Sequence, residues 1–158
     1  MSGDSGADLR RDTEDFSRAL ADLRAPVEHA CQENEAWQAK VSASIYAALD
    51  FATANPAAAR GLTIDRVARQ LDGGRTYQKM IARFADLLDA VTPGGEHLPT
   101  FSNVALVAGI AKVIGDHMRS PRVNRLDDIG PELVQFALLP YLGFEEAKRW
   151  AERPVPRI

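Results

Sequence analysis

The sequence has little of several features that would by themselves suggest a function. It contains one cysteine, Cys31, so no disulfide can form within the chain, and a single thiol suits a reducing compartment. No run of about 18 apolar residues occurs, and the N-terminus has no apolar core behind its charges, so neither a membrane span nor a secretory signal is predicted. Its 19 Lys and Arg against 22 Asp and Glu leave a net charge of −3, which offers no basic field for nucleic acid. These absences predict a soluble cytoplasmic protein that does not itself contact nucleic acid or a membrane.

The common patterns of catalytic and cofactor sites are also missing. The sequence has no HExxH, GxGxxG or GxxxxGK pattern and no cysteine pair with metal-ligand spacing. The histidines, His29, His97 and His117, do not lie three or four residues from one another, so no two of them share a helical turn. Asp127 and Asp128 precede a predicted helix start, where negative charge is favourable, and do not suggest a catalytic pair. We therefore expect no enzymatic activity, no metal and no cofactor.

The sequence does contain helical periodicity throughout, and it lacks strand-like alternation. Its 158 residues suit one domain, predicted at 8–153 between a disordered tail at 1–7 and a C-terminal tail at 154–158. Pro26 is expected to kink or divide the first helix, and Asn34 is expected to cap the second. The predicted fold is all-α, an antiparallel bundle of about six to seven helices with these spans: from Asp8 or Thr13 to Gln32, 34–54, 56 to about 71, 75–91, 101–119, 131–142 and 144–153.

The helices at 101–119 and 131–142 carry more apolar surface than one core contact needs. The first has two stripes, one running from Val104 to Met118 and one from Leu106 to His117, and the second is apolar nearly all round. Two such helices suggest a homodimer in which each subunit contributes the pair to a four-helix bundle, although the earlier helices could instead cover both within one chain. Which stripe faces the partner is open. The candidate interface residues are Val104, Val107, Ala111, Ile114, Met118, Leu133, Phe136, Ala137 and Tyr141.

Two stretches resemble a known family. "FALLPYLGFEEAKRW" near the C-terminus and "YAALDFATANPAAARGL" at 46–62 are similar to the C-terminal domain of TetR/AcrR-family bacterial transcriptional regulators, and the order of helices and loops is similar over about residues 10–153. The helix-turn-helix run with which such regulators begin has no counterpart here, so the resemblance is to the regulatory part alone. The resemblance implies an all-α fold, homodimerisation through 101–119 and 131–142, and binding of a small, mostly apolar or amphipathic ligand among the earlier helices.

A ligand of that kind would lie between the helices at 13–32, 34–54 and 75–91. The candidate lining residues, which core packing alone would also explain, are Trp37, Val41, Tyr46, Leu49, Tyr77, Met80, Ile81 and Phe84. We expect a ligand-sensing and homodimerisation domain without catalysis. The alternative is a stand-alone interaction protein that forms heterodimers with full-length relatives. A cavity lined by Trp37 and Tyr46 would favour the sensor, whereas a solid core with an exposed apolar surface at 101–142 would favour the interaction protein.

Overall fold

The computed structural model describes residues 4–63, 74–93, 102–120 and 126–154. Within these ranges the chain forms seven α-helices and one short 3-10 turn, without any strand, which confirms the all-α fold. The elements are α1 (Asp4–Glu33), α2 (Trp37–Ala54), α3 (Pro56–Leu62), α4 (Arg75–Val91), α5 (Ser102–Arg119), the 3-10 turn (Leu126–Ile129), α6 (Gly130–Leu142) and α7 (Phe144–Glu152). The predicted extension of the third helix to residue 71 and most of the loop at 92–100 lie outside the described residues.

Proline and glycine mark several helix ends, as their chemistry predicts. Pro56 is the first residue of α3, where its missing N–H costs nothing, and the backbone N–H of Asn55 bonds the carbonyl of Phe51 at 2.8 Å to close α2. Gly143 separates α6 from α7 with a φ of 80°, which a side chain would strain, and its N–H donates to the carbonyl of Leu139 at 2.9 Å. The helix breaks at these two positions agree with those predicted from the sequence.

Helix α1 is longer than the sequence suggests. It begins at Asp4, so residues 4–7, predicted to belong to a disordered tail, are helical, and it continues through Pro26 without being divided. Proline removes one hydrogen bond, here to the carbonyl of Asp22. Because Asp22 lies on the exposed side of α1, water can reach that carbonyl, and the helix tolerates the loss.

Asn34 does not cap α2, which contradicts the prediction. Its side-chain amide donates to the carbonyl of Ala30 at 2.9 Å, so it satisfies a carbonyl left free in the last turn of α1. The N-cap of α2 is Ala36, which makes no side-chain capping bond. An asparagine between two helices can serve either neighbour, and the sequence alone does not decide between them.

Helix α2 is the centre of the bundle and packs against α1, α3, α4, α6 and α7. Its buried residues occur on every side of the helix: Val41, Ser42, Ala43, Ile45, Tyr46, Leu49, Phe51 and Ala52. Helix α6 packs on α2 with an inner face of four residues: Leu133, Val134, Ala137 and Leu138. Its outer face, which we define as Phe136, Leu139 and Pro140, is exposed, with Phe136 at 42% and Leu139 at 40%.

Candidate functional site

An apolar cavity of about 160 Å³ lies between α1, α2, α3, α4 and α5, with one residue of α6 at its wall. Its volume is close to the roughly 150 Å³ of an apolar cavity that remains dry and binds benzene. The cavity is therefore large enough for a small organic molecule. Its largest lining side chains are Leu23, Val27, Val41, Ile45, Phe51, Leu62, Met80, Ile81, Phe84, Leu87, Leu88, Val91, Val107, Ile110 and Ile114.

Small side chains account for the space. Five alanines line the cavity, and they come from α2, α3, α5 and α6: Ala48, Ala52, Ala59, Ala111 and Ala137. A larger residue at any of these positions would fill part of the volume, as cores packed to normal density do. Alanines that recur among the larger residues of an apolar stripe are a sequence signal of this cavity. The spacing of aromatic residues does not reveal it.

Among the described residues, three polar side chains reach the cavity wall, and each is already hydrogen-bonded. The hydroxyl of Ser44 donates to the carbonyl of Lys40 at 2.6 Å, and that of Thr63 donates to the carbonyl of Ala59 at 2.8 Å. The sulfur of Cys31 lies 2.9 Å from Ser44 Oγ. Because a hydroxyl has one hydrogen and Ser44 uses it on Lys40, the thiol is the donor in this pair. Cys31 is thus buried and held in place, as expected for a small apolar residue.

The structure brings half of the predicted pocket residues to the cavity. Val41, Met80, Ile81 and Phe84 line it, whereas Trp37, Tyr46, Leu49 and Tyr77 do not. The second group packs in or against the hydrophobic core.

Trp37 meets Tyr141 edge to face, with ring centroids 5.5 Å apart and an interplanar angle of 64°. The ring of Tyr46 lies against Gly130, where a Cβ would collide with it, so this glycine permits a close approach of α6 to α2. Leu49 is fully buried in the core. Tyr77 is half-buried, and this burial raises the pKa of its phenol, while the nearby Lys112 acts in the opposite direction.

Most predicted interface residues face the interior of their own chain. Ile114, Leu133 and Ala137 are 8%, 3% and 1% exposed, so they cannot contact a partner without rearrangement of the core. Ile114, Ala137, Val107 and Ala111 all line the cavity, and Met118 is half-buried against the core. The predicted interface role is therefore wrong for Ile114, Leu133 and Ala137, and it stays a prediction for the half-buried Val107, Ala111 and Met118. The cause is that a stripe pattern marks apolar faces without saying which one turns outward.

The exposed members of that set are Val104, at 43%, and Phe136, at 42%. The ring of Phe136 crosses Gly109, where a Cβ would lie 3.1 Å from two ring carbons. The close approach at Gly109 therefore involves a side chain of α6. Two more large apolar residues beside this region are exposed, Leu139 at 40% and Phe144 at 59%.

A polar network centred on the buried Asn103 joins α4, α5 and α6. The amide nitrogen of Asn103 donates to Asp89, and the hydroxyl of Tyr141 donates to the amide oxygen of Asn103. Asn103 is 5% exposed, so both of its polar atoms depend on these partners. Nothing in the sequence periodicity predicts this network, because it joins residues 14 and 38 positions apart.

The titratable groups form no site elsewhere in the described part of the chain. No group of three or more His, Cys, Asp and Glu there could hold a metal ion. His29 lies 4.0 Å from Glu33, His117 contacts the carbonyl of Val113 at 3.2 Å, and His97 is outside the described residues. Across the same residues, no helix has the length and apolar character needed to cross a membrane.

No family model, curated protein or solved structure matches this chain. The resemblance to TetR/AcrR-family regulators therefore stays a prediction. Two features of the described residues bear on function: the cavity and the exposed apolar side of α6.

Proposed function

We propose that this chain is a non-catalytic, cytoplasmic domain that binds a small apolar ligand and forms a homodimer, as the resemblance to the regulatory domains of TetR/AcrR-like regulators implies. The observation that carries the proposal is the apolar cavity of about 160 Å³, which lies between five helices and one residue of α6 and is partly open to solvent. Helices normally pack together with few spaces larger than a water molecule, so an apolar space of this size between them is unusual. Binding sites between helices of a bundle have this apolar and concave form.

The homodimer is supported by the outer face of α6. Phe136 and Leu139 lie three residues apart on one side of the helix, and Phe144 follows at the start of α7. Exposed apolar residues are ordinary when scattered, but a group of this kind marks an interaction surface. In a two-fold dimer the same face would meet itself, so each subunit would cover the α6 of the other.

The same exposed face also supports a second candidate, a domain that pairs with related chains to form heterodimers. A cavity would have no role in that function. The cavity favours the sensor, although its walls differ from the predicted ones because Trp37 and Tyr46 pack elsewhere.

Native mass spectrometry of the purified chain tests both parts of the proposal. We expect twice the mass of the chain plus a small adduct, because a cavity in a folded dimer would retain a tightly bound ligand. A monomer at all concentrations would contradict the homodimer. Mixing with a full-length relative and finding only mixed dimers would favour the second candidate.

The dimer surface can be tested with Phe136→Asp. An unpaired charge buried in an interface costs several kcal/mol, so we expect the dimer dissociation constant to rise by about a hundredfold or more. Sedimentation velocity over a concentration series would measure it. Ala82→Asp places the same charge on an exposed position of α4 and should leave the dimer unchanged.

Phe144→Asp provides a second test with less risk to the fold. Phe144 is 59% exposed and begins α7, where a negative charge is favourable to the helix. A dimer that survives both Phe136→Asp and Phe144→Asp would contradict an interface on this side of α6. Ile114→Asp would not be informative, because Ile114 lies in the core and the charge would unfold the chain.

A further inference from the structure

We propose that the cavity takes an uncharged aromatic hydrocarbon, about one ring with a short alkyl substituent, and discriminates against ligands that carry hydrogen-bond acceptors or charge. This inference rests on the proposed ligand-binding function and specifies the chemistry of the ligand. Amphipathic ligands, which the sequence left open, would be excluded.

The described wall of the cavity has no free hydrogen-bond donor. A ligand that carries a carbonyl or carboxylate needs such a donor, and the polar side chains in the described part of the wall are Cys31, Ser44 and Thr63. The hydrogens of both hydroxyls are used on main-chain carbonyls, at 2.6 Å and 2.8 Å, and the thiol donates to Ser44. An acceptor brought into this cavity would therefore lose its bonds to water and gain none, which weakens binding.

The described wall of the cavity carries no charge. Among the lining residues that the structure describes, none is Lys, Arg, His, Asp or Glu. The lysine on α5, Lys112, is exposed and bonds Asp116 at 2.9 Å along its own helix. An ionised ligand would thus be buried without a counter-charge, which is costly in an apolar environment.

The size and the ring-bearing wall of the cavity suit an aromatic ligand. The volume of about 160 Å³ matches one ring with a small substituent. Phe51 and Phe84 contribute rings to the wall, and Met80 contributes a sulfur, so an aromatic ligand can make edge or face contacts that an alkane of equal volume cannot.

Methionine labelling offers a direct measurement of binding in this cavity. The chain has 3 methionines, Met1, Met80 and Met118. Met80 lines the cavity and Met118 does not, and Met1 lies outside the described residues. In the full chain labelled with ¹³C at the methionine methyl groups, a ligand in the cavity should shift the signal of Met80, which Met80→Leu would assign. The probes are isopropylbenzene, acetophenone and benzoate, which have the same number of non-hydrogen atoms and differ in polarity and charge.

We expect isopropylbenzene to shift the Met80 signal in a saturable way, acetophenone to bind about tenfold more weakly or worse, and benzoate to cause no shift. Acetophenone or benzoate binding as tightly as isopropylbenzene would overturn the ligand class while leaving ligand binding in place. If no probe shifts Met80 up to its aqueous solubility, both the ligand class and the proposed binding function are contradicted. The two failures are therefore distinguishable.

A matched pair of variants locates the site. Ala111→Leu should fill part of the cavity and weaken isopropylbenzene binding about tenfold or more, because the added side chain occupies the ligand's space. Ala105→Leu adds the same atoms at an exposed position of α5 and should bind as the wild type does. Unchanged binding by Ala111→Leu would overturn the assignment to this cavity.

Discussion

Helices α2 and α6 share an apolar character but differ in their surroundings. Both are apolar around most of their circumference, and in neither does one face dominate. Helix α2 contacts five helices of its own chain and is exposed only at Asp50 and in its last two residues, whereas α6 is covered on one side and leaves Phe136 and Leu139 about two-fifths exposed. An apolar circumference therefore predicts that a helix needs covering, and the position of the helix in the bundle decides whether its own chain provides it.

The two helices also differ in how they are attached. Helix α2 is held mainly by apolar contacts, with Leu49 fully buried near its middle. Helix α6 adds a polar attachment near its end, where Tyr141 bonds Asn103 and meets the ring of Trp37. In the proposed homodimer, a second subunit would cover the exposed side of α6, as helices of the same chain cover α2.

Two neighbouring leucines on α6 separate its inner and outer faces most sharply. Leu138 is fully buried and Leu139 is 40% exposed. We expect Leu138→Ala to lower the free energy of unfolding by about 2–5 kcal/mol, because it removes buried contacts and leaves a cavity. Leu139→Ala in dilute protein should cost less than about 1 kcal/mol. Urea denaturation measures both.

Leu49→Ala on α2 is the control for the buried case and should resemble Leu138→Ala. If Leu139 contributes to a dimer, the cost of Leu139→Ala should grow as the protein concentration is raised. Equal costs for the Leu138 and Leu139 variants at low concentration would mean that α6 has no distinct outer face.

Two glycines provide a second comparison between the faces. Gly130 lies against the ring of Tyr46, which is 8% exposed and cannot move aside, so Gly130→Ala should cost about 1–3 kcal/mol. Gly109 lies under Phe136, whose ring is free to tilt outward. Gly109→Ala should therefore change the free energy of unfolding by less than about 1 kcal/mol, with the gain in helix propensity favouring stabilisation. A larger loss at Gly109 than at Gly130, measured by thermal or urea unfolding, would show that Phe136 is held as firmly as Tyr46.

The polar attachment of α6 is tested by Tyr141→Phe. The substitution keeps the ring against Trp37 and removes the hydroxyl that donates to Asn103, so it isolates the hydrogen bond. Because Asn103 is buried, its amide oxygen would be left without this partner, and we expect a loss of about 1 kcal/mol in the free energy of unfolding. Asn103→Ala removes both bonds and should cost more. No effect from either variant would mean that the network does not stabilise the junction of α4, α5 and α6.

Much of the fold follows from local chemistry that the sequence displays. Pro56 and Gly143 fix helix boundaries because their backbones allow few alternatives, and the predicted span of α4 agrees with the structure. Asn34 was misassigned because its side chain can bond either to the helix before it or to the one after it. The predicted helix boundaries agree with the structure where the chemistry of a residue allows one local conformation or one bonding partner.

The cavity was less predictable for a related reason. Helical spacing identified Val41, Met80, Ile81 and Phe84 as inward-facing, and these do line the cavity. The same spacing could not separate them from Tyr46 and Leu49, which also face inward but fill the core. A cavity depends on the sum of side-chain volumes from several helices. The packing register between those helices cannot be predicted from the sequence of any single helix.

The alanines around the cavity have a consequence for the lifetime of the protein. An empty apolar space deprives its walls of contacts, and a space of this size corresponds to a few kcal/mol of packing that the ligand-free chain lacks. Since domains of this kind are stable by only about 5–15 kcal/mol, the ligand-free chain would open more often and meet proteases more often. If the proposed ligand fills the cavity, the abundance of the protein in a cell would follow the supply of that ligand, with no change in the rate of its synthesis.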